Sequence, residues 1–147
     1  MTGLTLKERQ RQVREEAILV AAHELLTEQG YTAMSMDDLA ARVGVSKATL
    51  YQHFPSKEEL AVNVVLHGMR RSEALISEMH DARPALERLE MMLRQAIEGR
   101  QSLSMAQVSF PPLLRKRHPL YQAQHEHMVE LIRAMVDEAK ADGSIKQ

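Results

Sequence analysis

Lys47, Thr49 and Gln52 lie in the stretch GVSKATLYQHFPSK, residues 44–57. These are side-chain types that read nucleic-acid bases rather than break bonds. Lysine donates to guanine acceptors or to phosphate, and glutamine pairs with adenine. The methyls of Ala48 and Thr49 can touch the thymine methyl. Tyr51, His53 and Lys57 flank this row and suit phosphate contacts, which give register without sequence information. Catalysis finds no comparable set. The sequence holds no Cys, no glycine-rich phosphate loop, no nucleophile elbow, and no carboxylate or histidine pairing at a spacing chemistry demands. The chain reads as a non-enzyme, with no cofactor and no catalytic residue.

A helix of ~2 turns cannot hold itself together in water, because nucleation costs more than so few hydrogen bonds return. Neighbouring elements must brace it. Ser35, Ser46 and Ser56 each suit an N-cap, so three helices start in close succession. Met34 and Leu39 flank Ser35, and Val45 and Leu50 flank Ser46, as hydrophobic staples do, while Ser56 and Glu59 have capping-box spacing. Gly44 supplies a sharp turn, and Pro55 forces Phe54 out of helical backbone and ends the short helix. Ala40, Gly44 and Leu50 follow at intervals of four and six. That is helix-turn-helix spacing: a small residue where two helices touch, a glycine in the turn, and an apolar anchor beneath the second helix. Leu50 and Phe54, one turn apart, pack on Leu39, Ala40, Val43 and the first helix, leaving the opposite face free for a groove.

The first helix runs from about Lys7 to Gln29, with Ile18, Ala21, Ala22, Leu25 and Leu26 as its apolar stripe and Gly30 as a left-handed stop. Its start carries Lys7, Arg9, Arg11 and Arg14 against Glu8. This arm either contacts DNA beside the main groove, with Arg11 as its representative, or is a solvated helix start. Later residues read as longer helices at about 57–80, 84–100 and 119–141, with a kinked piece around 102–116 where Phe110-Pro111-Pro112 interrupts it. Pro84 and Pro119 suit first-turn positions. No period-2 strand pattern stands out, so the fold class is all-α.

At 147 residues and a formal net charge of −1, the chain can bury roughly 70% of its unfolded surface and does not advertise a polyanion partner as a whole. Positive charge is local, in the arm and in residues 44–57. Neither a signal peptide nor a membrane-length apolar run is present, which reads as a cytoplasmic protein without a membrane partner.

The run MSMDDLAARVGVSKATLYQHFPSKEELAVNVV resembles the DNA-binding domain of the TetR (tetracycline-repressor-like) family, and VSKATLYQHFPSKEEL is close to that family's usual signature. The resemblance covers about Glu15 to Val65. It implies a three-helix DNA-binding domain over residues 1–57, and a helical effector-binding and dimerisation domain over 58–147. It also implies that Ser46 to Phe54 form the groove-reading helix, that Tyr51 is the phosphate tyrosine, that His53 is the next polar contact, and that Lys57 opens the fourth helix. The stretch RHPLYQAQHEHMVELIRAMVDEAKADGSI also resembles the family's effector domain. Family members usually run on for about two more helices beyond this point, and those helices build the dimer interface. The second domain is therefore expected to be short and incomplete.

The expected DNA-binding set is Ser35, Ser46, Lys47, Ala48, Thr49, Tyr51, Gln52, His53, Lys57 and Arg11. Met105 and Phe110, beside the prolyl bend, are the expected effector-pocket residues, while the other methionines on apolar helix faces read as core. His125 and His127 stand two apart and face different sides of a helix, so no metal site is expected. The leading expectation is a sequence-specific transcriptional repressor. It would bind a palindromic operator as a homodimer, with its reading helices roughly 34–36 Å apart, and be released by a small-molecule effector. The alternative is an interaction module that docks on another helical regulator through an uncovered surface along Met128, Leu131 and Met135.

Overall fold

The computed structural model describes residues 3–80, 82–104 and 117–146. These form six helices: α1 (Leu6–Gln29), α2 (Met36–Val43), α3 (Lys47–His53), α4 (Lys57–Glu78), α5 (Ala85–Ser104) and α6 (Pro119–Ala141). The described residues contain no strand. None of their helices is long and apolar enough to cross a membrane. The residues around 105–116, including Met105 and Phe110, lie outside the described set.

Local chemistry sets the boundaries. Thr5 caps α1: its hydroxyl accepts the Glu8 amide at 3.2 Å, and the Glu8 carboxylate accepts the Thr5 N–H at 2.7 Å. That reciprocal box holds the Glu8 carboxyl below its ordinary range, the backbone bond from Thr5 contributing most. The basic start of α1 is therefore capped helix. Ser35, Ser46 and Ser56 accept the amides of Asp38, Thr49 and Glu59 at 3.0, 3.1 and 3.0 Å. Phe54 is extended (φ −133°, ψ 102°) ahead of Pro55 and closes α3. Pro119 opens α6 as its first residue. Pro84 stands one residue before α5, and its carbonyl takes the Arg88 amide at 3.1 Å.

Two glycines act through backbone freedom in different ways. Gly44 is left-handed (φ 80°, ψ 32°) and ends α2. Gly30 departs from the expected left-handed stop: its φ is 81° but its ψ is 166°, a region essentially reserved for glycine. The chain turns directly after it, where the Met34 amide donates to the Gly30 carbonyl at 3.2 Å.

The helices fall into two units, one built on residues 3–64 and the other on Val65–Ser102 with the residues from Arg117 onward. In the first unit Ile18, Ala22, Leu25 and Leu26 of α1 bury against Leu39 and Ala40 of α2, Leu50 and Phe54 of α3, and Leu60 and Val64 of α4. Each of the larger side chains among these, Ile, Leu, Val or Phe, is worth about 1.5–3 kcal/mol when fully buried. The core therefore decides the mutual placement of four helices. In the second unit Ile76, Met92 and Met135 form the centre, with Leu89, Met128 and Ile132 packed around them. Arg88 is almost wholly buried there; its Nε donates to the Arg83 carbonyl and its Nη2 lies 2.6 Å from Glu138 Oε2. A buried guanidinium needs such partners, since an uncompensated one is strongly destabilising.

Candidate nucleic-acid interface

Alternation around a helix turn decides what α3 shows. Leu50 is fully buried and Phe54 nearly so, whereas Lys47, Ala48, Tyr51 and Gln52 are exposed and Thr49 is half-buried. The row expected to face a groove thus lies on the solvent side of α3. Its first turn is fixed by Ser46, whose hydroxyl also donates to Thr49 Oγ1 at 2.8 Å. Ser35 holds the equivalent place at the start of α2.

Polar pairs latch the helices at the angles that the core sets. Arg42 of α2 forks onto Glu28 of α1, with Nη1 and Nη2 at 3.0 and 2.8 Å from the two carboxylate oxygens. The shared hydrogen bond lowers the Glu28 pKa and raises that of Arg42. Bidentate geometry makes this more orienting than a single exposed ion pair. Lys57, at the head of α4, donates to the Thr32 carbonyl at 3.3 Å. Its ammonium lies 4.6 Å from the Tyr31 ring centroid. Partial burial pulls its pKa down. The phosphate role expected of Lys57 therefore starts from an ammonium already held by the α1–α2 connection.

His53 is placed differently from its outward neighbours. Only 7% of its side chain is exposed, and Nδ1 lies 3.1 Å from Glu15 Oε1. The same Glu15 oxygen takes Arg11 Nε at 2.9 Å. Arg11, 60% exposed, thus sits on α1 within a three-residue polar chain that ends at the foot of α3. Ser46, Lys47, Ala48, Thr49, Tyr51 and Gln52 are brought together on one face. His53, Arg11 and Lys57 brace that face from behind or beside it.

The reading of the sequence passed over Asp37. Its Oδ1 lies 3.0 Å from Lys47 Nζ, joining the first turn of α2 to the first turn of α3. That hydrogen bond, with the Asp37 charge, raises the Lys47 pKa, so the lysine is a cation wherever the domain is folded near neutrality. No sequence pattern marks such a pair, because it depends on the α2–α3 angle. Thr5 was passed over as well, although Thr-Leu-Lys-Glu has the spacing of a capping box.

In the second unit Glu73 of α4 meets Gln124 and His127 of α6, at 2.8 and 2.6 Å. It ties two helices together. The Tyr121 and His125 rings lie tilted at 30° with centroids 6.0 Å apart. Among the described residues no group of three or more His, Asp or Glu side chains is placed to hold a metal ion.

A three-helix core that seats a short second helix after an αL glycine, with its polar row turned outward, defines a helix-turn-helix DNA-binding domain. Residues 18–64 match the family described as bacterial regulatory proteins, tetR family. That match covers the helix-turn-helix part of the chain. Over 89 residues the chain is 40% identical to the HTH-type transcriptional activator FasR of Mycolicibacterium smegmatis, covering 60% of this chain and 39% of FasR. The fatty acid degradation regulator FadR from Bacillus halodurans shares the fold, with a TM-score of 0.72 at 21% identity over 91% of this chain and 71% of that one. AibR, solved in complex with isovaleryl coenzyme A and operator DNA, gives a TM-score of 0.60 at 25% identity over 91% of this chain and 76% of that one. The chain spans less than half the length of the curated relatives it matches. Those relatives are named as regulators of transcription, not as enzymes.

Proposed function

We propose that this chain is a sequence-specific DNA-binding transcriptional regulator that acts as a homodimer on a palindromic operator and is controlled by a small-molecule effector. Residues 1–57 bind DNA, and residues 58–147 take the effector and support dimerisation. The observation that carries the reading is the exposed face Lys47, Ala48, Tyr51 and Gln52, set on a helix whose Leu50 is fully buried. Lys47 and Gln52 supply base-edge donors, and Tyr51 supplies a hydroxyl for phosphate. An effector acts by binding more tightly to a state in which the two reading helices no longer match successive major grooves. AibR, solved with isovaleryl coenzyme A and operator DNA, supports this arrangement. Repression is the expected sign when the operator overlaps a promoter, although the relative FasR is named as an activator. The interaction-module alternative is less well supported, because Met128 and Met135 pack into the core of their own unit rather than lying bare.

The test is fluorescence-anisotropy binding of the 147-residue chain to a duplex that it selects from a randomised library. A scrambled duplex serves as reference, across a salt series and with stoichiometry determined. Preference for the selected duplex with two chains bound supports the reading. Equal affinity for both duplexes overturns it.

A further inference from the structure

Asp37 is an acidic side chain at the edge of a face meant for a polyanion. Both members of the pair it makes with Lys47 are well exposed, Asp37 at 70% and Lys47 at 55%, with Nζ and Oδ1 3.0 Å apart. On Coulombic grounds alone a carboxylate there lowers affinity for any DNA. Its geometry gives it a use. An ammonium has three donors, and Asp37 occupies one of them.

The other two remain available, and the four-carbon stem that would let Lys47 swing to any nearby phosphate is restrained. Bonding to guanine O6 or N7 is compatible with keeping Asp37. Capture by a phosphate sets two anions against each other around one ammonium, which is favourable only if Asp37 is displaced. The carboxylate therefore acts unequally on the two modes of binding, and specificity is such a difference between affinities.

We propose that Asp37 is a specificity-determining residue: it holds Lys47 for base edges and disfavours its use on the phosphates of arbitrary DNA. The inference rests on the reading of residues 46–52 as the groove-facing surface. It adds to that reading a side chain from α2 that weakens non-specific binding. Neighbouring acids do not share the role. Asp38 lies beside Arg42, whose pKa it helps raise, and Glu24 and Glu28 pair with Arg42 on the α1 side.

The experiment compares the parent with Asp37→Asn, Lys47→Ala and the double variant on the selected and scrambled duplexes, across salt. Asp37→Asn is expected to bind scrambled DNA about two- to fivefold tighter. Its log affinity against log salt steepens by about 0.9, one additional phosphate neutralised. Both gains vanish when Lys47 is alanine, and the ratio of selected to scrambled affinity falls only where Lys47 is present. Asp37→Ser, which also suits a helix start, gives the same pattern if the carboxylate is the active feature. Asp38→Asn, removing a nearby charge that is not on Lys47, leaves the ratio unchanged. The proposal is overturned if Asp37→Asn keeps the parent's ratio and slope, or if its gain survives in the Lys47→Ala background. A parent that does not prefer its selected duplex refutes the regulator reading itself and this inference with it. A parent that does prefer it, beside an Asp37→Asn variant no different from it, refutes this inference alone.

Discussion

His53 Nδ1 and Glu15 Oε1 meet at 3.1 Å across a sequence separation of 38 residues, joining the last residue of α3 to the middle of α1. The imidazole is nearly buried. The pair is therefore a brace for the reading helix rather than part of the face that helix shows.

Replacing His53 by alanine should cost about 1 kcal/mol of stability, the net worth of one such hydrogen bond. DNA affinity should fall without a change in salt dependence. A residue that holds a phosphate as a cation would instead reduce the slope of log affinity against log salt by about 0.9. Urea denaturation and anisotropy on the same preparation separate the two. An unchanged midpoint with a shallower slope would return His53 to the contact surface.

Gln52 and Tyr51 should behave as different kinds of contact. Gln52→Ala is expected to lose about 1–3 kcal/mol on the selected duplex and almost nothing on scrambled DNA, as befits a base-reading side chain. Tyr51→Phe removes one hydroxyl. It should weaken both duplexes by a similar factor, leaving the preference intact and, because the group is neutral, the salt slope as well. Competition binding with both duplexes decides; a Gln52→Ala loss shared equally by the two would remove that residue from the reading role.

Gly44 isolates backbone strain from crowding. Its φ is +80°, yet a Cβ added there meets nothing within 4 Å. Gly44→Ala should therefore destabilise by about 1–2 kcal/mol through the left-handed conformation alone. Gly44→Asn should cost less, because asparagine tolerates that region. Thermal melts of the two variants, followed by circular dichroism, test the order. Equal losses would show that something other than φ governs the position.

Glu73 makes the second unit acid-sensitive. Burial works to raise its pKa, but hydrogen bonds from Gln124 and His127, with the charges of His127 and Arg70, bring it below the ordinary 4.5. A carboxyl lowered in the folded state stabilises the fold above its unfolded pKa, and loses that contribution as pH falls through the folded value. Parent protein should thus lose more melting temperature between about pH 5 and pH 3 than Glu73→Gln does. Superimposable profiles for the two proteins would show that this carboxyl is not responsible.

The parts of the fold that could be read beforehand are those written in adjacent residues. Ser35, Ser46 and Ser56 each announce a helix, Gly44 and Pro55 frame the shortest one, and Leu50 and Phe54 mark its buried side one turn apart. Such features need only local stereochemistry, and all of them stand where the pattern put them. The pairs that tune the face are another matter. Asp37 with Lys47, His53 with Glu15, and Lys57 with Thr32 and Tyr31 each depend on the crossing angles of α1, α2 and α3, which come from core packing and leave no mark in spacing. For the same reason Lys57 and His53 were expected on the phosphates yet lie tethered to the body of the domain. Met105 and Phe110, chosen for their place beside the prolyl bend, fall outside the described residues.

The serines that start α2, α3 and α4 each work with one hydroxyl accepting one amide, and Thr, Asn or Asp can do the same. As far as folding is concerned, single-base changes at Ser35, Ser46 and Ser56 can drift through several neighbours without penalty. Ser46 alone opens the helix proposed to meet the groove. Aspartate there keeps the cap and even suits the positive end of the helix, but places a fixed anion against the phosphates. Selection for foldability is silent at this position while selection for operator occupancy is not, so descendants of this sequence can lose their target through a substitution that a stability screen would pass as neutral.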